Sequence, residues 1–267
     1  MPVFIDQMQR RVELAGAEPP QRIISLVPSQ TELLFDLGLE DQIVGVTKFC
    51  IHPQALCKQT TKVGGTKKFN FEAIASLKPD LIIGNKEENY KEGIEALEQD
   101  YSVWMSDIFD LQDALRMMQE VGKLTHTEAR ANNLVAEVSR GFEKLAQTIV
   151  NAQPCKVAYF IWRNPMMGVG ANTFIDEMIK LCGWQNVLEN EARYPEISPV
   201  QLKELNPDLI LLSSEPYPFK DKHLQEFQDI CPEAQVLLVD GEMFSWYGSR
   251  LKQAPGYLSE LVQTTAS

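Results

Sequence analysis

Cys50 and His52 alternate in the segment TKFCIHP. A cysteine beside a histidine is the pairing from which a thiolate nucleophile is made. No third residue offers itself to orient the histidine, and a buried cysteine is usually a small apolar filler. The chain has no glycine-rich phosphate loop, no GxSxG elbow and no HExxH pair. A directly bound zinc or manganese ion would need three or four converging ligands. Of the three histidines, His126 falls in the capping segment of a long helix and His223 at a helix start, which places neither well. The expectation is no catalytic residue, no metal ligand and no intrinsic cofactor.

Recognition chemistry is denser. YFIWRNPMMGVG places Trp162, Arg163 and Met166 in one predicted loop, and DGEMFSWYGSR places Phe244, Trp246, Tyr247 and Arg250 in another. Both follow apolar runs that read as strands. Large amphipathic side chains give contact area at little rotamer cost, so the reading is a binding surface, with packing as the alternative. SSEPYPFKDKH adds Glu215 and Tyr217 as hydrogen-bonding candidates, unless its prolines only shape a turn.

These loops need a frame, and the chain writes that frame twice. FNFEAIASLKPDLIIG and EISPVQLKELNPDLILL each run a helix into a Pro-Asp pair and then into a short apolar strand. Asn70 and Ser198 read as N-caps, Pro199 as a first helical residue, and Pro79 as a helix stop. RIISLV, QIVGVTKF, LIIG and YSVWMSD are predicted strands separated by helices, and KVAYFIW, LILL and QVLLVD repeat the order. Ser29 with Glu32, and Thr125 with Glu128, have capping-box spacing, and Gly38 and Gly183 sit at helix exits. Leu134, Val138, Phe142, Leu145 and Ile149 form one apolar stripe on a helix of about 25 residues, roughly 37 Å long. The expected fold is α/β: two doubly wound α/β lobes joined by one long connecting helix, with a ligand cleft between the lobes. The boundaries read as an N-terminal α/β lobe over 1–124, a connecting backbone helix over 125–153 and a C-terminal α/β lobe over 154–267.

A net charge of −12 over 267 residues excludes the basic surface that nucleic acid requires and disfavours an anionic membrane surface. Hydrophobic residues make up 44% of the chain and charged residues 23%, which suits a fully folded protein. The start, MPVFIDQMQRRVELAGAEPP, lacks the parts of a secretion signal, and five scattered cysteines favour free thiols. As written the chain reads as cytoplasmic; if a signal has been removed, it is periplasmic or surface-tethered.

The run VFIDQMQRRVELAGAEPPQRIISLVPSQTELLFDLG, with VGVTKF, VGG and the two repeated segments, resembles the helical-backbone substrate-binding proteins of bacterial ABC importers, and most closely their cobalamin-binding branch. The resemblance covers nearly the whole chain. It implies a monomer that is not an enzyme and holds a bulky metal complex in the cleft: a corrinoid, a ferric siderophore or haem. It puts Phe49 where the cobalamin binders place a tyrosine, beside Lys48 and His52. Thr66 stands in the place of a stacking tryptophan, and Lys67 lies in position for an anionic ligand. It implies docking to a membrane permease through Glu72 on the first lobe, whereas Ser245 takes the matching place on the second, with Glu242 the nearest acid. A cytoplasmic carrier or sensor of the same ligand is the alternative.

Overall fold

The computed structural model describes residues 2–14, 16, 18–149 and 155–265. Its elements in the first half are β1 (Val3–Ile5), β2 (Arg11–Glu13), β3 (Ile23–Ser25), α1 (Pro28–Asp36), β4 (Ile43–Val46), α2 (Gln54–Gln59), β5 (Thr61–Lys62), β6 (Gly64–Gly65), β7 (Lys68–Phe69), α3 (Phe71–Leu77), β8 (Leu81–Asn85), α4 (Lys91–Leu97), β9 (Val103–Ser106) and α5 (Leu111–Leu124). There follow α6 (Glu128–Ile149), β10 (Lys156–Trp162), β11 (Met167–Gly168), α7 (Phe174–Leu181), β12 (Gln185–Asn186), α8 (Pro199–Leu205), β13 (Leu209–Ser213), α9 (Leu224–Ile230), β14 (Gln235–Val239), α10 (Glu242–Ser245) and α11 (Ala254–Thr265).

The chain divides into two compact units, one of Met1–Ile108, Gln112–Glu137 and Tyr247–Arg250, the other of Phe109–Leu111, Val138–Trp246 and Leu251–Ser267. The division falls inside α6, so that helix is shared by the two units. The stripe expected on it is real: Leu134, Val138, Phe142 and Leu145 are buried. The expected extension of the connecting helix through residue 153 lies outside the described residues.

In the first unit a sheet runs β5-β4-β3-β8-β9, with every pair parallel. Parallel strands need crossover helices on both faces, which is why β8 reads Leu-Ile-Ile with no polar face. In the second unit β10, β13 and β14 are parallel, and β11 joins the edge antiparallel.

The repeated Pro-Asp has a structural meaning in both units. α3 and α8 each exit through a left-handed residue, Lys78 at φ 46° and Asn206 at φ 47°. The Asp80 carboxylate then accepts the backbone N–H groups of Gln21 and Arg22 at 2.8 and 2.9 Å, just before β3. Asp208 accepts the Lys156 N–H at 2.8 Å at the start of β10. The motif pins the neighbouring strand's entry, and so fixes which residues reach the far, carboxyl end of each sheet.

Asn70 and Ser198 cap their helices as the sequence indicates, accepting the backbone N–H groups of Ala73 and Gln201. Two expected capping boxes do not form. α1 starts at Pro28 after an uncapped Val27, and Glu32 turns away to another partner. Thr125 donates instead to Val121 O, at the end of α5, and its hydroxyl also bonds that of Thr127. Proline at the helix start removes a donor that would otherwise need a cap, which leaves Ser29 free to be buried. The chain closes with a short 3-10 turn, Ser249–Lys252, followed by α11.

Candidate functional site

Ligands of open α/β sheets settle at the carboxyl ends of the strands. Each unit presents such an edge.

In the first unit β4 ends at Val46, and a tight turn follows in which Cys50 N–H donates to Thr47 O at 3.1 Å. That turn throws Lys48 and Phe49 outward. Phe49 is 50% exposed, with Lys48 Nζ 5.0 Å from its ring centroid. The ring rests on the backbone of Gly65, where an added Cβ would stand 3.2 Å from Phe49 Cε2. A side chain there would have to displace the ring by a few tenths of an ångström. Ile51, also 50% exposed, widens the apolar surface, and nothing in its residue type signals that exposure. His52 is half-buried and lies within the electrostatic reach of Glu32.

Lys67 is exposed, with its ammonium turned onto the backbone of a neighbouring loop. Its Nζ donates to Glu87 O at 2.5 Å, and Thr66 O accepts from Asn89 Nδ2 at 3.1 Å, so both residues fasten the hairpin to the loop after β8. That loop is in turn shaped by Asn85, whose Oδ1 accepts the N–H groups of Glu87 and Glu88.

The nucleophile considered at Cys50 is disarmed by its surroundings. The residue is buried, its Sγ lies against the hydroxyls of Thr31 and Thr47 at 3.1 and 3.2 Å, and burial pushes its pKa up. Cys57 is pushed up to about 11, chiefly by burial. Thiols so placed stay protonated at neutral pH. Among the described residues no group of three or more His, Cys, Asp or Glu is placed to hold a metal ion.

In the second unit β10 ends on Trp162, 39% exposed, whose Nε1 donates to Asn164 O at 3.1 Å. Its ring stands edge-on to half-buried Tyr217, with centroids 5.6 Å apart. Arg163 pairs with Glu226 at 2.8 Å on the surface. Met166 is half-buried and packs against the unit's core beside Leu188 and Ile197.

The structure draws the other four residues of the aromatic loops inside, where each is buried. Phe244 is fully buried, tilted against Tyr159 with centroids 5.0 Å apart and edge-on to Tyr257 at 6.4 Å. Trp246 is 7% exposed and gives its Nε1–H to Glu215 Oε1 at 2.9 Å. Tyr247 is buried as well. Arg250 is buried and holds Glu32 through two bonds, Nε at 3.1 Å and Nη2 at 2.7 Å. Glu215 also accepts from Ser245 Oγ at 2.7 Å. Burial pushes the Glu215 carboxyl above its ordinary range, with these two donors opposing it. Glu215 thus supports the loop that carries Trp246.

Glu72 is exposed in the first turn of α3, next to exposed Phe71. Because Asn70 and Ser198 cap equivalent helices, the residue in Glu72's place in the second unit is Val200, which is exposed in α8. Glu242 belongs to α10, a different element, and is half-buried with its N–H donating to Asp240 Oδ1.

Residues 23–234 match the periplasmic binding protein family. The chain belongs to that family. A vitamin B12-binding protein of Vibrio vulnificus is 28% identical over 199 residues, 74% of this chain and 72% of the relative. An uncharacterised ABC transporter substrate-binding lipoprotein of Bacillus subtilis is 27% identical over 219 residues, 79% of this chain and 68% of its own. A solved periplasmic haem-binding protein of Pseudomonas aeruginosa superposes with a TM-score of 0.81 at 24% identity, covering 93% of this chain and 94% of that one. Members of this family are binding proteins. The resemblance and the α/β fold expected from the sequence both hold. The cytoplasmic reading finds no support here: the Bacillus subtilis relative is a lipoprotein and the Pseudomonas aeruginosa one periplasmic, which fits the exported alternative. No helix among the described residues is long and apolar enough to cross a membrane.

Proposed function

We propose that the protein is the substrate-binding component of an ABC importer, exported and monomeric, and that its cargo is a bulky metal complex: a corrinoid, haem or a ferric siderophore. The observation that carries this reading is the exposure of Phe49 and Trp162. Each is a large aromatic at the carboxyl end of its unit's sheet, braced by neighbours yet left half open. Folding alone favours covering such rings, and planar macrocycles bury well against aromatic faces. The B12-binding and haem-binding names among its relatives support the same ligand class. No resident cofactor is needed, since the metal arrives inside the cargo. Glu72 is the proposed contact to the permease on the first unit. A cytoplasmic carrier or sensor would use the same surfaces, and export of the native gene product separates the two.

Intrinsic tryptophan fluorescence titrated with cobalamin, cobinamide, haem and ferric siderophores tests the reading. Quenching at micromolar concentration by at least one is expected; silence from all of them overturns it. Trp162→Ala and Phe49→Ala should each weaken the bound ligand about tenfold, ~1.4 kcal/mol, as truncation of an exposed aromatic anchor does. Calorimetry of the two variants checks this, and unchanged affinity in either removes that residue from the site.

A further inference from the structure

Tyr217 is enclosed by rings of its own unit. Phe219 lies 4.8 Å away between centroids, and His223 and Trp162 each 5.6 Å away. Its backbone N–H donates to Ile161 O at 3.3 Å, joining the loop after β13 to the end of β10. The exposed Trp162 therefore rests on a residue whose own seat is set elsewhere.

That seat is His223. The residue is 4% exposed, and its Nδ1 accepts the Lys220 N–H at 2.9 Å. A ring nitrogen that accepts carries no proton, so the proton sits on Nε2, which faces Tyr217 Oη at 3.3 Å. Protonating the ring would place a second donor on Nδ1, directly opposite the Lys220 N–H. The two donors cannot share that gap, so the imidazole must shift from its place in the Lys220–His223 turn, and its contact with Tyr217 Oη shifts with it.

The charged groups around the imidazole are Lys222 beside it in sequence, Arg163 from the end of β10, and Glu226 from α9, which pairs with Arg163. Burial, then Lys222 and Arg163, hold the His223 pKa below 6.5, with Glu226 opposing. The sign follows. A histidine whose folded value is depressed keeps its arrangement intact above 6.5 and loses it as pH falls through the lower folded value.

We propose that His223 is a positioning residue for ligand binding: neutral, it seats Tyr217 and so holds Trp162 in place; protonated, it releases that ring and the ligand with it. This rests on Trp162 being a ligand contact. Loading at neutral pH and release in mild acid would then be a property of one loop.

Labelling the full chain with 5-fluorotryptophan and following it by 19F NMR tests the coupling without ligand, the Trp162 signal being assigned with Trp162→Phe. That signal should move in one transition below about pH 6.5. In wild-type protein the His223 ring nitrogens, read by 15N NMR, should show the Nε2–H form at neutral pH and titrate with the same midpoint. In His223→Gln, whose amide oxygen can still accept the Lys220 N–H but does not titrate, the Trp162 transition should vanish. A Trp162 signal that ignores pH, or that moves equally in His223→Gln, overturns the proposal. So does a His223 midpoint different from that of Trp162. With cobinamide as the probe, affinity should fall at least about fivefold between about pH 7.5 and about pH 5.5 in wild type and stay level in His223→Gln. Cobinamide binding that is independent of pH in wild type also overturns it. If the Trp162 signal follows His223 but none of the metal complexes binds, the ligand reading fails and the coupling stands.

Discussion

Replacing Trp246 with alanine will lower stability by about 3 kcal/mol, within the range for emptying a buried tryptophan site. The indole is 7% exposed, so its removal leaves a void instead of a wetter surface. It also takes from Glu215 one of the two donors that hold its carboxylate, leaving Ser245 alone. Glu215 is already pushed toward its protonated form by burial. A carboxylate with a raised folded pKa supports the fold most below its ordinary value of 4.5 and loses that support as pH rises through the folded value. Losing a donor raises the folded value further. The deficit of Trp246→Ala should therefore be largest at neutral pH and shrink in acid. Urea unfolding at the two pH values measures this. A variant with an unchanged urea midpoint but weakened ligand binding would return Trp246 to the binding surface.

Arg250→Ala should be about as damaging, ~3 kcal/mol, for an electrostatic reason. Its guanidinium holds Glu32 through two bonds, and both side chains are largely buried. Removing the cation strands an anion whose pKa burial already raises, with Arg250 the leading counterweight. The sign is the same as for Glu215: the penalty is full at neutral pH and disappears as pH falls below 4.5, where Glu32 is protonated in both states. Glu32→Gln in the Arg250→Ala background should recover most of the loss, because no charge is left without a partner. If denaturation curves show no such recovery, the pair is not what holds the segment Tyr247–Arg250 in place. The close approach of Gly248 to Ser29, where an added Cβ would fall 2.4 Å from the carbonyl oxygen, shows how tightly that segment lies on α1.

Both predictions concern residues that the sequence places among ligand contacts. Phe244, Trp246, Tyr247 and Arg250 stand in a loop after a strand, and by type and spacing they resemble Trp162, Arg163 and Met166. Nothing in one dimension separates the two sets. Trp162 stays 39% exposed at the end of β10, with the Tyr217 ring set edge-on beside it. Trp246 is closed because α10 folds back and Glu215 reaches its indole nitrogen across 31 residues of chain. Lys67 is a related case: its charge suits an anion, while its Nζ donates to a carbonyl oxygen 20 residues later in the chain.

What the sequence determined is what local rules govern. Alternation of short apolar runs with amphipathic segments dictates parallel α/β units, because strands without a polar face must be covered on both sides. Proline, asparagine and serine mark where α3 and α8 begin and end, since a missing donor or a capping oxygen acts within a few residues. The repeated Pro-Asp announces two equivalent units, and the family pattern agrees. The tertiary structure alone decided which charges and rings are spent on the fold. Burial, ion pairing and ring packing depend on residues 20 to 218 positions away, as Lys67, Trp246 and Arg250 show. A side chain already satisfied by such a partner has little left to offer a ligand, and that is why Phe49 and Trp162 remain.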